Sequence, residues 1–201
     1  MKRFIFITAF LLFVQTLTAQ EETTISSEEE YGGFGGPVIK YTSVRSTGSL
    51  MIGGRGGWII DHSLIIGGGG YSLVTEVDAL DGVIPSQGPL DIKFSYIGAE
   101  IEYLFHPMSL LHLSIATLIG FGETFYVKDV GSVNNSNEQV SDKAYMFVTE
   151  PSVSVELNLL AWFRLDIGIS YRFVPSVNLI GVKGSDFSSP GLILLFKFGS
   201  F

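Results

Sequence analysis

Cysteine is absent from all 201 residues. The chain therefore has no disulfide, no thiolate metal site, no thiol nucleophile and no lipidated N-terminal Cys. Cations are scarce as well: 12 Lys and Arg stand against 20 Asp and Glu, a formal net charge of −8. A nucleic-acid partner needs a basic face, so that class is excluded. Charged residues of both signs make up only 16% of the chain, and the mean hydropathy is +0.39. So little charge cannot cover an ordinary soluble surface, and a hydrophobic content of 46% excludes a disordered chain. Long apolar runs are also missing. Beyond the N-terminal segment, no stretch reaches the ~18 apolar residues of a spanning helix. One domain fits this length; two full cores do not.

What is present begins with a targeting segment. Lys2 and Arg3 precede an apolar stretch from Phe4 to Val14, and Ala19 offers a small residue for cleavage before Gln20. That stretch is too short to cross a bilayer of about 30 Å as a helix, but it suits a secretory leader. Residues 1–19 read as a signal peptide, whose removal leaves ten basic residues against twenty acidic ones. Residues 20–30 hold five glutamates and read as an acidic periplasmic tail that cannot enter a core.

The remainder, residues 31–201, divides into segments that alternate with period two. In the clearest, Phe163, Leu165, Ile167, Ile169, Tyr171 and Phe173 take one face, and Arg164, Asp166, Gly168, Ser170 and Arg172 the other. Tyr145 to Asn158, Leu111 to Val127, Gly98 to Phe105 and Gly191 to Gly199 repeat the pattern, with a phase slip around Gly98 that suggests a bulge. Three Gly-rich segments near Tyr31–Ser43, Ser49–Ile60 and Ser63–Val74 complete a set of eight strands. Tight turns are expected at Asp61 and His62, at His106 to Met108, and around Leu159 and Leu160. The other side has a short link at Val44–Gly48 and three long connections, Thr75–Leu90, Lys128–Lys143 and Pro175–Ser189. Short turns on one rim and long loops on the other predict an all-β fold: an eight-stranded antiparallel up-and-down transmembrane barrel with periplasmic turns and extracellular loops.

A soluble barrel alternates too, so the placement of charge decides which face meets which medium. On this register the polar face collects Lys40, Arg55, Arg164, Arg172 and Lys197 with Glu100, Glu102, Glu150, Glu156 and Asp166. About thirty apolar side chains oppose them, too many to fit inside eight strands. In lipid the arrangement inverts: apolar residues face outward and a balanced lumenal ionic network faces inward. Aromatic residues gather near both strand ends, as interfacial girdles do. Trp58, Tyr103, Phe105, Trp162, Phe163 and Phe198 lie toward the tight turns. Tyr41, Phe94, Phe125, Tyr126, Tyr145, Phe147, Tyr171 and Phe173 lie toward the long loops.

Several motifs resemble the small eight-stranded outer-membrane β-barrel proteins of Bacteroidota-type bacteria. They are Thr18 to Gln20, Tyr31 to Pro37, Gly53 to Ile60, Ile66 to Tyr71, Ser170 to Phe173 and Phe196 to Phe201. The resemblance implies residence in the outer membrane, among outer-membrane lipid and lipopolysaccharide. It also implies insertion by the barrel assembly machinery, with Phe201 as the assembly signal. Phe201 is out of phase with Phe196 and Phe198. The resemblance implies no catalytic residue and no cofactor.

Chemical sites find little support. The three histidines, His62, His106 and His112, all lie at or near the tight turns, so a Ser–His site at the outer leaflet lacks its base. No metal-ligand spacing occurs, and Glu76, Asp78, Asp81 and Asp129 match no calcium-loop motif. Three functions remain open: a structural or accessory barrel with loops for an outer-membrane protein partner, a narrow porin-like channel for small solutes, and a lipid A-modifying enzyme. The first is the expectation taken forward, as a non-enzyme.

Overall fold

The computed structural model describes residues 31–79, 90–128 and 140–201. The leader, the acidic tail, Asp81 and Asp129 lie outside the described residues. Eight strands follow in chain order: β1 Tyr31–Val44, β2 Thr47–Ile60, β3 Leu64–Leu73, β4 Leu90–Phe105, β5 Leu111–Lys128, β6 Val140–Leu160, β7 Phe163–Arg172 and β8 Ser189–Ser200. Each pairs antiparallel with the next, and β8 returns to β1 with Gly35 opposite Phe198 and Ile39 opposite Leu194, so the barrel is closed.

Local chemistry sets the turns. Arg45 and Ser46 both take positive φ, 50° and 64°, and Asp61 and His62 do the same at 54° and 53°. Such turns twist the way paired strands twist. The third tight turn begins at His106, φ 56°. The fourth comes later than the alternation suggests: β6 continues through Leu159 and Leu160, and the chain turns at Ala161 and Trp162. The register shifts between Asn158 and Leu160, which accounts for the extra length.

The bulge expected at Gly98 is not there. Gly98 pairs with Gly69 on one side and Gly120 on the other in unbroken register. What changes at Gly98 is the chemistry of the inward face. Even-numbered residues of β4 point inward throughout: Glu100 and Glu102 below Gly98, Leu90, Ile92, Phe94 and Tyr96 above it. For the same reason β4 starts at Leu90 and β6 at Val140, inside segments that read as loops. Phe94 and Tyr126, expected in the outer girdle, are buried inside the barrel.

The interior is stacked in layers. Phe34, Ile59, Ile65 and Leu104 form an apolar floor toward the tight-turn rim. Charged side chains fill the middle. Ile92, Phe94, Tyr126, Met146, Val148 and Val174 line the upper part. The connection after β7 folds into that mouth and carries a four-residue helix, α1 (Gly184–Phe187), where a plain loop was expected. Its Leu179, Val182 and Phe187 are buried against the upper wall.

Candidate functional site

The middle layer forms because the inward positions of neighbouring strands carry both signs of charge and meet on the diagonal. Glu156 of β6 stands opposite Asp166 of β7, and Arg164 of β7 opposite Lys197 of β8, so each carboxylate finds its cation one step along the ladder rather than directly across it. Glu156 is the hub: it contacts the Lys197 ammonium, accepts from Arg164 Nη1 at 3.0 Å and from His112 Nε2 at 3.1 Å. Glu102 accepts from Arg55 Nη2 at 2.7 Å and from Lys197 Nζ at 2.9 and 3.1 Å, and Arg55 also contacts Glu100. Asp166 lies 3.7 Å from Lys197 Nζ with no hydrogen bond to either oxygen. One layer higher, Lys40 Nζ donates to Glu150 at 2.8 Å and lies 3.4 Å from the centre of the Tyr71 ring. The Tyr96 hydroxyl and Ser170 Oγ also donate to Glu150, at 2.5 and 2.7 Å. These side chains are buried, and the charge of opposite sign beside each one offsets the hydration it gives up.

His112 ties the layer to the turn below it. Its Nδ1 lies 3.2 Å from the Ser109 carbonyl and its Nε2 3.1 Å from Glu156 Oε1. Lys40, Arg55, Arg164 and Lys197 are the cations that meet Glu100, Glu102, Glu150, Glu156 and Asp166.

Arg172 is buried in the barrel too, but its donors go elsewhere. They reach the Phe187 carbonyl at 2.6 Å, the Ser43 carbonyl at 3.0 Å and Met51 Sδ at 3.0 Å, with the guanidinium 4.9 Å from the Phe94 ring centre. The β1–β8 register runs as far as Tyr41 opposite Leu192, and Arg172 bonds the Ser43 carbonyl beyond it. It also ties α1 to the wall. Tyr126 helps by donating to the Ile180 carbonyl at 2.6 Å, and Asp186 accepts from the Arg45 amide at 2.7 Å.

Nine of the ten charged residues singled out by alternation therefore meet in ion pairs, and Arg172 serves the cap. The sequence reading missed His112, Tyr96, Ser170 and Tyr71 as members. His112 carried a usable signal, being in phase with Ser114 and Ala116 on the polar face. Tyr96 was hidden by the apparent phase slip. Phe201 turns inward, with the Arg164 guanidinium 4.1 Å from its ring centre, which explains its mismatch with Phe196 and Phe198.

Among the described residues, one group of carboxylates converges: Glu102, Glu156 and Asp166 place one oxygen each within 4.8 Å of the others. The Lys197 ammonium already occupies their focus, bonding two and facing the third. Beside the upper pair lies a void of about 10 Å³ lined by Lys40, Arg55, Tyr71, Glu100, Glu150 and Ser152, on the scale of one water molecule. His62 and His106 sit at the tight turns. Asp78 bridges to Asp91 through backbone, and its carbonyl accepts from Arg45 Nη1 at 2.6 Å.

No protein-family model matches the chain, and none of the curated proteins does. Solved structures do match. Neisserial surface protein A shares 14% identity at a TM-score of 0.55, over 87% of this chain and 99% of that one. The N-terminal β-barrel domain of Pseudomonas aeruginosa OprF shares 8% at 0.51, over 86% and 99%. At these identities the likeness is one of fold: the chain is a closed eight-stranded antiparallel β-barrel whose solved neighbours include a surface protein.

Proposed function

We propose that this chain is an integral outer-membrane β-barrel with a mainly structural or accessory role. Its interior is sealed by ion pairs and by the segment after β7, and its long-loop end is free for partner contacts. One observation carries the reading: the wall is inside out for water. Ile97 and Phe121 are 69% exposed on the outer face, whereas Glu156 and Lys197 have no exposure at all inside. Each such apolar side chain left in water forgoes roughly 1.5–3 kcal/mol of burial, so an aqueous barrel would reverse the two faces. Lipid removes that cost.

The aromatic bands support the same medium. Tyr31, Trp58, Tyr103, Trp162 and Phe198 are exposed toward the tight-turn rim; Tyr41, Tyr145, Phe147, Tyr171 and Phe173 are exposed toward the other. In this reading the tight turns face the periplasm, outer-membrane lipid and lipopolysaccharide surround the wall, and the assembly machinery reads the C-terminal strand ending in Phe201. No catalytic residue or cofactor is assigned.

Expression of the full chain in a Gram-negative host, followed by membrane separation and an alkaline carbonate wash, tests the proposal. The protein is expected in the washed outer-membrane pellet, running faster on gels unheated than boiled. Release by carbonate, or recovery from the soluble fraction, would refute membrane integration.

A further inference from the structure

The tight-turn rim is lopsided. The β2–β3 turn presents Asp61 and His62. On the other side, the β4–β5 and β6–β7 turns expose Met108, Leu110, Leu111, Leu159, Leu160 and Trp162, with Met108 and Leu110 more than two-thirds exposed. Across 107–111 and 157–163 there is not one Asp, Glu, Lys or Arg. Turns that project into water are ordinarily polar, and a cluster of large apolar side chains at their tips marks a contact surface.

Several backbone groups of these turns are satisfied from within the protein. Asn158 Nδ2 donates to the Pro107 carbonyl at 2.9 Å and to the Ser109 carbonyl at 2.8 Å. The Asn158 amide donates to the Leu110 carbonyl at 2.9 Å, and the Ser109 amide to the His106 carbonyl at 2.9 Å. His112 also reaches the Ser109 carbonyl, and the Gly199 amide closes on the Trp162 carbonyl at 3.0 Å. Backbone groups satisfied from within, beneath an apolar exterior, are what hydrocarbon demands and water does not.

We infer that the barrel is seated asymmetrically, with the β4–β5 and β6–β7 turns immersed in the bilayer on the tight-turn side while the β2–β3 turn stands in water. The inference rests on the membrane reading above. A lipid surface fits better than a protein partner on two grounds. The patch is formed by convex turn tips rather than a groove. It also runs without a break into the outer wall, through Leu111, Leu113 and Ile115 on β5 and through Trp162 stacked near Phe198. The acidic tail that precedes Tyr31 has no apolar face with which to cover it.

Because the chain has no cysteine, single introduced cysteines can report each site. Leu110→Cys, Leu160→Cys, Asp61→Cys and the mid-wall Ile101→Cys would each carry a nitroxide in the full chain. Each variant must first show the parent's unheated gel mobility. They are then placed in phosphatidylethanolamine–phosphatidylglycerol vesicles, and collision with oxygen is compared with collision with a water-soluble nickel complex. The oxygen-to-nickel ratio at positions 110 and 160 is expected to exceed that at 61 several-fold, in the direction of position 101. A ratio at 110 and 160 equal to that at 61 would overturn the seating. Shielding of both sites from both colliders would also overturn it, because a protein would then cover the patch. A water-like ratio at 101 would instead sink the membrane reading itself.

Discussion

Replacing Glu156 by Ala is expected to lower the unfolding free energy by about 3–5 kcal/mol, the usual result of breaking a buried ion pair from one side. Glu156 is fully buried and serves two cations, Arg164 and Lys197, together with the His112 ring. Lys197 would keep Glu102 and Asp166, but Arg164 would lose its carboxylate and retain only the ring of Phe201. Glu156→Gln keeps the shape and loses the charge, so a smaller loss is expected. Combining Glu156→Leu with Arg164→Met should recover part of the deficit, since Arg164 is the cation that loss of Glu156 strands, while Lys197 keeps Glu102 and Asp166. Urea unfolding in lipid vesicles, followed by the fluorescence of Trp58 and Trp162, measures each change. An unmoved midpoint in Glu156→Ala would mean that these side chains are not paired inside the barrel.

The second large effect concerns the wall itself. A Cβ added at Gly67 would run into the Gly56 carbonyl oxygen and the Gly57 Cα on the neighbouring strand. One at Gly120 would strike the Ile97 carbonyl and the Gly98 Cα. Backbone cannot rotate aside as a side chain can, so the strands must separate and the ladder weaken. Gly35 is the control, because its Cβ would meet nothing within 4 Å. Gly67→Ala is therefore expected to cost about 3 kcal/mol, at the upper end for an overpacked site, and Gly35→Ala almost nothing. Refolding yield into vesicles and the urea midpoint together read the difference. Equal losses at the two positions would show that helix or strand propensity, and not close approach of backbones, sets the requirement for glycine.

Those two glycines show why a flexible-loop reading of the Gly-rich segments fails. Gly56 and Gly57 pair with Gly68 and Gly67 across β2 and β3, inside regular strands. The intervening Trp58, Ile59 and Ile66 kept a period-two rhythm, and that was enough to place the strands. The charged layer was legible for a similar reason: Glu100 and Glu102, Glu150 and Glu156, and Arg164 and Asp166 each share one phase on their strand. Partners on distant strands were not legible, because barrel stagger and not sequence distance brings Arg55 to Glu102.

Alternation misled wherever the interior itself changes character. A face that is ionic at one height and apolar at another breaks the assumption of one polarity per face. Phe94 thus reads from the sequence as an outward girdle residue, whereas with Tyr96 it continues the inward column above Glu100. The same layering concealed the cap: Leu179, Val182 and Phe187 lie among Asn, Lys, Ser and Asp in a stretch with no period at all. Arg172 was grouped with the ionic layer by phase, yet its height puts it beside Phe187. His112 reads from the sequence as a residue near the tight turns, and only the fold shows that its two ring nitrogens reach the Ser109 carbonyl and Glu156.

The most direct test of a sealed interior is electrical. The full-length chain would be reconstituted into a planar lipid bilayer, with its insertion checked by the gel shift of the same preparation. In the proposed reading the ionic layer and the apolar cap close the lumen to hydrated ions, so the current should stay at baseline under applied voltage. Steady unitary openings that scale with voltage and recur in each preparation would contradict the sealed barrel and favour the narrow channel.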